Sequence, residues 1–600
     1  MDKQATIGFV LIAIILMVWM WYNTPQPRPP QIHTDTTSTV RTPAAKSPDS
    51  ARAEHSPPPA QAQTPPERFG EFFSPRASGQ EKLLTINTDL YSAEITTKGG
   101  LIRRWELKNY KTWNQYPVQL VDLSKGGEFG LLFISSDGKE IDTRNLYFDL
   151  NMPANKTVTL TGTDSLSVDL VLPVREGKRI VKRLTFTGNK YTLEAEILFQ
   201  NMADVIGRDD YEISWENALP YAEHNSIDES SHAKAFGFSG GETVEVDEPK
   251  EGEPRSQNLT GQVDWVAARN KYFAVALLPD QSLTTLGASI SGERHAQPDR
   301  GEKETYALRM KMPLTKGATE RSKLTVFLGP LDFTLIKSLD RGLDHIMSLG
   351  AAWIIRPITE YVMIPLFNVL HLFITNWGVV IIVFSIIIKI ALHPLTRSSM
   401  KSMKKMQQLQ PMMNEIREKY KDNPEQMNKA IMNLYKDYGV NPAGGCLPLL
   451  LQMPILYALY NVFSSTIQLR QAHFVGWIHD LSIPDTVLHL PFTIPLFGIT
   501  QLSGLALAMC ITMFIQQKQT VTDPRQKAMV WMMPIMMMLI FNNLPSGLNL
   551  YYFVFNLLSI GQQIWINKQH GNEPLRKVDP KKASGGLMGR LAKNLPDMKR

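Results

Sequence analysis

Residues 377–395 read WGVVIIVFSIIIKIALHPL, an apolar run in which Lys389 is the one residue with a formal charge at neutral pH. An apolar helix of this length can cross the roughly 30 Å hydrocarbon core of a bilayer. Outward from it, further apolar runs lie at 446–467, 494–516, 528–543 and 547–567. We therefore predict an α-helical membrane bundle of five spans over residues 377–567.

The N-terminal end of the chain is apolar as well. Residues 5–22 (ATIGFVLIAIILMVWMWY) contain no charged side chain and end in aromatic residues typical of a membrane interface. A cleaved signal peptide is the alternative, but the run is long for one and no small-residue cleavage pattern follows it. We predict one N-terminal transmembrane anchor helix over 1–23. Residues 24–80, rich in proline, threonine, serine, alanine and glutamine, predict a flexible linker.

The middle of the chain has the pattern of a soluble β domain. Runs such as SVDLVLPV and YTLEAEILFQ alternate apolar and polar residues, so residues 81–332 predict a large all-β sandwich. Both cysteines lie outside this region, which excludes a disulfide framework. The region has no GxSxG, HExxH or P-loop motif, and its histidines lack the spacing of metal ligands. We expect no enzymatic activity, metal or other cofactor.

The distribution of basic residues predicts the orientation of the chain in the membrane. The segments 396–445 and 517–527 and the tail 568–600 are rich in lysine and arginine, whereas the loop 468–493 contains Arg470 alone. Cytoplasmic loops carry such an excess of positive charge. We expect both termini in the cytoplasm and the β domain in the periplasm. The tail could bind ribosomal RNA, or it could bind lipid headgroups and set the topology.

Two segments predict helices outside the spans. Residues 396–440 predict a cytoplasmic helical hairpin, in which Asn423 is the expected N-cap of the second helix and Gly439 its stop. Its methionines either receive varied apolar partners or pack the two helices together; they are Met400, Met403, Met406, Met412, Met413 and Met427. In the region 333–376, residues 354–374 mix charges and prolines with apolar residues and predict an amphipathic helix in the membrane interface.

Polar residues inside the spans predict a functional site. An ionised lysine in a span costs about 2.5–3.5 kcal/mol, so Lys389 either faces a wet cavity or extends its ammonium group to the interface. Other polar residues recur at helical spacing and predict a hydrated groove, although they could also be polar contacts between helices. They are Ser385, Gln452, Gln501, Thr512, Gln516, Asn549, Tyr552, Asn556, Ser559 and Gln563. The five predicted spans contain no aspartate or glutamate.

Several motifs in residues 350–567 resemble one known family. They include NPAGGCLPLLLQMPILYALY from Asn441, MKKMQQLQP at 403–411, TVTDP at 520–524 and LPSGLNLYYFVFNLLSIGQQ at 544–563. Together they resemble the YidC/Oxa/Alb family of membrane protein insertases. The anchor, linker and β domain are similar to the Gram-negative form of this family, whose periplasmic domain is a β-supersandwich.

The resemblance implies a function and a set of partners. Such proteins insert and fold inner-membrane proteins, alone or with the Sec translocon, through a hydrophilic groove open to the cytoplasm and to lipid. Lys389 matches a groove position that is usually arginine, and Gln452 is the glutamine of the family's QMP motif. Nascent membrane proteins and membrane lipids would be partners, and the hairpin could contact the ribosome or a targeting receptor.

Two other functions remain possible from the residues alone. A small-molecule transporter would need inverted repeats and a coupling-ion site, which is often acidic, and the sequence shows neither. A membrane-anchored carbohydrate-binding or carbohydrate-active protein would use the β domain, where a catalytic carboxylate pair cannot be assigned by spacing.

Overall fold

The computed structural model describes residues 65–153, 155–247, 250–298, 301–315, 317–351, 353–440, 447–494, 497–520, 527–570 and 577. The predicted anchor, residues 24–64 of the predicted linker and nearly all of the basic tail lie outside these ranges. The described residues other than 527–529 belong to one compact unit.

The strands, numbered in chain order, are β1 Leu83–Asn87, β2 Tyr91–Thr96, β3 Leu101–Lys111, β4 Pro117–Gln119, β5 Gly130–Ile134, β6 Glu140–Asp142, β7 Asp149–Leu150, β8 Thr157–Thr159, β9 Ser165–Arg175, β10 Lys178–Thr187, β11 Thr192–Gln200, β12 Asp210–Trp215, β13 Lys234–Ser239, β14 Glu242–Val246, β15 Arg255–Thr260, β16 Trp265–Arg269, β17 Phe273–Pro279, β18 Gly287–Ala296, β19 Glu302–Pro313, β20 Thr319–Pro330, β21 Thr486–Ile494 and β22 Ile499–Ser503.

The α-helices are α1 Pro65–Phe73, α2 Ser226–Ser230, α3 Phe333–Ser338, α4 Ile355–Ile358, α5 Ile364–Phe373, α6 Trp377–Ala391, α7 His393–Gln408, α8 Gln410–Lys419, α9 Pro424–Asp437, α10 Leu447–Ser465, α11 Gly504–Thr520, α12 Lys527–Phe541 and α13 Ser546–His570. A π-helical turn, Thr359–Met363, joins α4 to α5.

The β domain is built from three sheets, as far as the described residues show. Their strand orders are β4-β3-β2-β1-β8, β14-β13-β16-β17-β20-β11-β10-β9-β7 and β15-β18-β19-β12-β5-β6. Buried and less buried residues alternate along strands such as β19. The sheets share one apolar core, in which Trp105, Trp215 and Trp265 are fully buried. The prediction of a β-rich domain is confirmed.

The end of the predicted linker is wrong. Helix α1 lies within residues 24–80, and its Phe69 and Phe73 are buried in the core of the β domain. The ring of Phe73 packs edge-on against Phe133, with 5.4 Å between ring centres. Two buried aromatic residues remove enough apolar surface from water to order a short segment that its average composition marks as a linker.

The C-terminal region is helical. Helices α6, α10, α11, α12 and α13 share a core that includes Phe384, Phe463 and Tyr551. Among the described residues, no helix has both the length and the apolarity needed to cross a membrane. Helices α7 to α9 form the predicted helical hairpin. Asn423 caps α9 as predicted, because its Oδ1 accepts a 3.1 Å hydrogen bond from Gln426 N.

The predicted span 494–516 begins too early. Residues up to 503 belong to a two-stranded sheet formed by β21 and β22, and α11 starts only at Gly504. The side chains of this segment are apolar in both halves, and an apolar run without periodicity does not distinguish a strand from a helix. Gln501 therefore lies on β22 and not on the helix that carries Thr512 and Gln516.

Candidate functional site

Lys389 lies near the C-terminal end of α6 and faces α13. Its side chain is nearly buried, with the residue 8% exposed. Its Nζ donates a 2.6 Å hydrogen bond to Ser559 Oγ and lies 4.3 Å from the centre of the Phe555 ring. Phe555 and Ser559 are four residues apart on α13, so the helix presents both to the lysine. Among the described residues, no carboxylate forms an ion pair with Lys389.

The buried face of α13 carries the predicted polar residues Asn549, Asn556, Ser559 and Gln563. Two polar atoms on this face have no hydrogen-bond partner in the described part of the chain: Asn549 Oδ1 and the hydroxyl of Tyr552. Buried polar atoms of this kind are normally satisfied by ordered water. Each of these two atoms can therefore accept a hydrogen bond from a water molecule.

The other predicted groove residues differ in their contacts. Ser385 Oγ and Thr512 Oγ1 donate to carbonyls of their own helices, at 2.7 Å to Ile381 O and 2.9 Å to Met509 O. Gln452 and Gln516 are half-buried. The local bonds of the two hydroxyls satisfy them without a groove.

Gln501 lies on a strand, whereas the other predicted groove residues lie on helices. On β22 its Oε1 accepts a 2.8 Å hydrogen bond from Thr486 Oγ1 of the neighbouring strand. Its backbone carbonyl accepts a 2.7 Å bond from Asn542 Nδ2. The prediction that Gln501 shares one helix face with Thr512 and Gln516 is therefore wrong.

Sequence analysis missed the contacts that connect the hairpin to the bundle. Gln562 Nε2 lies 3.0 Å from His393 Nδ1 at the start of α7, and Lys404 Nζ donates a 3.1 Å bond to Asn567 O. Gln407 Nε2 donates a 3.0 Å bond to Gln519 O at the end of α11. A polar face on α7 at spacings of three and four residues could have indicated these contacts.

The hairpin methionines differ in their burial. Met413 packs with Leu409, Tyr438 and Val440 in a small core of the hairpin, and Met400 and Met427 are buried as well. Met412 is exposed, whereas Met403 and Met406 are half-buried. Packing between the helices therefore accounts for some of the methionines and not for Met412.

A second buried site joins the β domain to the bundle. Arg470 Nε donates a 2.6 Å hydrogen bond to Glu223 Oε1, and their side chains are 2% and 11% exposed. The guanidinium also lies over the rings of Tyr272 and Phe273, at 5.6 and 5.7 Å from their centres. Next to it, Gln471 Nε2 donates to Lys111 O and Thr112 O. Sequence analysis identified Arg470 only as the single charge of its loop.

Comparisons with known proteins cover both parts of the chain. The family described as 60Kd inner membrane protein matches residues 369–573, and the YidC periplasmic domain family matches residues 83–361. The fold and these matches define the class, an inner-membrane protein with a periplasmic β domain.

Relatives extend the match to the whole chain. The membrane protein insertase YidC of Chlorobaculum parvum is 38% identical over 96% of this chain and 96% of its own length. That of Chlorobium luteolum is 37% identical over 98% of this chain and 100% of its own. The chain belongs to the YidC family of membrane protein insertases. This membership confirms the resemblance in the motifs, and the family is not an enzyme family. A solved structure of an active YidC insertase is 20% identical, covers 81% of this chain and 93% of its own, and has a TM-score of 0.35.

Proposed function

We propose that this insertase moves segments of client membrane proteins into the bilayer through a groove formed by Lys389 and the polar face of α13. One observation carries the proposal. The buried Lys389 ammonium is held by a hydroxyl and an aromatic ring, and no carboxylate of the described residues neutralises it. Its positive charge can therefore attract an acidic or polar segment of a client.

The groove lowers a desolvation barrier. Each unsatisfied backbone group of a client costs several kcal/mol in hydrocarbon, where water cannot bind it. Water and side chains on the polar face of α13 would satisfy these groups over part of the path. The apolar surfaces of neighbouring helices would then release the client's own helix into lipid. No nucleotide is needed, since the gain comes from transferring an apolar helix into the membrane.

The remaining features fit this function. A topology of five spans, an N-terminal anchor and cytoplasmic termini agrees with the distribution of lysine and arginine, and in that topology the hairpin would be cytoplasmic. The exposed Met412 and Met432 of the hairpin would receive apolar client segments, or contact a ribosome or targeting receptor. The Sec translocon is a further proposed partner for larger clients.

Site-specific photo-crosslinking to a stalled client tests the groove. A crosslinking amino acid replaces Asn556, which is buried on the polar face of α13, or its neighbour Leu557, which is exposed on another face and serves as the matched control. We expect client adducts at 556 and far fewer at 557. Adducts only at 557, or equal adducts at both, would contradict the groove. Cells depleted of the chain must also fail to insert the same client, and normal insertion would contradict the insertase function itself.

A further inference from the structure

The hairpin of β21 and β22 (residues 486–503) stands apart from the other sheets. Among the described residues, each of its strands pairs only with the other. The segment between α12 and α13 contacts both ends of the hairpin, because Ser503 N donates a 2.9 Å bond to Asn542 Oδ1 at the base and Asn543 Nδ2 donates a 3.1 Å bond to Phe497 O at the tip. A two-stranded hairpin with little further packing is at best marginally stable in water. Strand β21, which these bonds do not involve, therefore needs a surface to lie against.

The side chains of the hairpin are unsuited to water. Val487, Leu488 and Phe492 are 47%, 55% and 61% exposed. No residue from 486 to 503 is aspartate, glutamate, lysine or arginine. Exposed apolar strands without charges are sites of aggregation in soluble proteins, and proteins protect such edges with charges or cover them. The composition of this hairpin favours an apolar cover.

The exposed apolar surface continues onto the next helix. Leu507, Ile511 and Ile515 of α11 are exposed and follow each other at intervals of four residues, which places them in one stripe. On an inner-membrane protein such a stripe faces lipid. Just before the hairpin, the exposed Trp477 donates a 2.9 Å hydrogen bond from Nε1 to Asp485 Oδ2. Tryptophan in this amphipathic arrangement is typical of the boundary between lipid and water.

Backbone chemistry limits the depth of the hairpin. The outer edge of β21 carries N–H and C=O groups that no neighbouring strand binds among the described residues, and such edges do not occur in the hydrocarbon core. Pro491 leaves β21 with one backbone donor fewer. The unpaired edge of β21 can bind water and headgroups only near the membrane surface.

We infer that the 486–503 hairpin inserts its apolar side chains into the lipid interface of the leaflet on the β-domain side, with the phospholipid surface as its partner. The side of the membrane follows from the preceding loop, whose Arg470 and Gln471 bind the β domain. The hairpin would hold the N-terminal end of α11 at the membrane surface, next to the bundle.

Depth-dependent fluorescence quenching on the full chain in phospholipid vesicles tests this inference. In a Cys446→Ser, Cys510→Ala background, a fluorophore is attached at Phe492→Cys. Glu242→Cys, exposed at the start of β14 in another hairpin, is the matched control, and Ile511→Cys on the α11 stripe is the depth reference. Nitroxide is placed either on the lipid headgroup or near the end of the acyl chain.

We expect a blue shift at 492 and a loss of fluorescence that is larger with the headgroup nitroxide than with the chain-end nitroxide, while 242 loses nothing. An unquenched signal at 492, equal to that at 242, would mean that the hairpin lies in water. Stronger quenching at 492 by the chain-end nitroxide, as at 511, would place it in hydrocarbon. If adding a client abolishes the quenching at 492, the hairpin binds clients and not lipid. Each of these three results overturns the inference.

Discussion

Lys389 Nζ donates a 2.6 Å hydrogen bond to Ser559 Oγ and thereby joins α6 to α13 across the candidate groove. The two residues are 170 positions apart in the sequence. Ser559 Oγ in turn donates a 2.8 Å bond to Phe555 O, one turn earlier on α13. The lysine is therefore positioned by a hydroxyl whose own proton is already used, which leaves the oxygen as an acceptor.

Ser559→Val should impair both stability and insertion. Valine removes the acceptor and fills its place with a methyl group, so the buried ammonium loses its hydrogen-bond partner on α13. A buried donor left without a partner costs roughly 1–3 kcal/mol. Ser559→Thr is the matched control, because threonine has nearly the shape of valine and keeps the hydroxyl. Thermal unfolding and client insertion are measured for both variants, and equal behaviour of valine and threonine would show that the hydrogen bond is unimportant.

Glu223→Gln should loosen the joint between the β domain and the bundle. It leaves the Arg470 guanidinium buried without its carboxylate, and breaking a buried ion pair from one side costs roughly 3–5 kcal/mol. A double-mutant cycle with Arg470→Gln, followed by thermal unfolding of the full chain, measures the coupling energy. The exposed pair Lys250 and Glu253 is the control, because surface ion pairs contribute about 0–1 kcal/mol. Equal coupling energies in the two cycles would contradict this prediction.

The stability of the β domain should depend on pH through Glu229. Burial raises the pKa of this carboxyl from 4.5 to about 8, although Ala222 N and Glu223 N donate hydrogen bonds to it. Between these two values the folded state holds a proton that the unfolded state releases. The stabilising contribution is therefore complete below about 4.5 and is lost as the pH rises towards 8.

Glu229→Gln isolates this contribution. Glutamine keeps an oxygen to accept the backbone N–H groups and does not titrate. The unfolding midpoint of the wild type should fall relative to that of the variant as the pH rises from about 5 to about 9. Glu242→Gln, at an exposed position, is the control and should leave the profile unchanged. A pH-independent difference for Glu229→Gln would show that this carboxyl does not titrate in the range.

Local signals in the sequence predicted local structure well. The cap at Asn423 and the strands of the β domain follow from turn chemistry and from periodicity over a few residues. The burial of Lys389 and of the polar residues of α13 also follows from spacing, because one face of a helix is fixed by its 3.6-residue period. The groove function of these residues is a proposal that starts from the resemblance of the family motifs.

Other features depend on contacts that no local pattern contains. Arg470 and Glu223 are 247 positions apart, and neither residue type indicates its partner. Phe73 packs against Phe133 in the core of the β domain, 60 positions further along the chain, and the average composition of its proline-rich stretch does not indicate this contact. The sequence predicts a membrane span for residues 494–503, the second half of the hairpin, because their apolar residues have neither a period of two nor one of 3.6.

The central claim is that the charge at position 389 selects clients by electrostatic attraction. Cells depleted of the chain are complemented with wild type, Lys389→Arg, Lys389→Ala or Lys389→Glu, and insertion is scored by protease accessibility. Two clients differ only in whether their short translocated tail is acidic or basic. Both clients are scored in the same cells and the membrane potential is measured in each strain, so the ratio of acidic to basic insertion is compared at equal potential. We predict that wild type and arginine favour the acidic tail, that alanine reduces the preference and that glutamate reverses it. An unchanged ratio in all four strains would contradict the account.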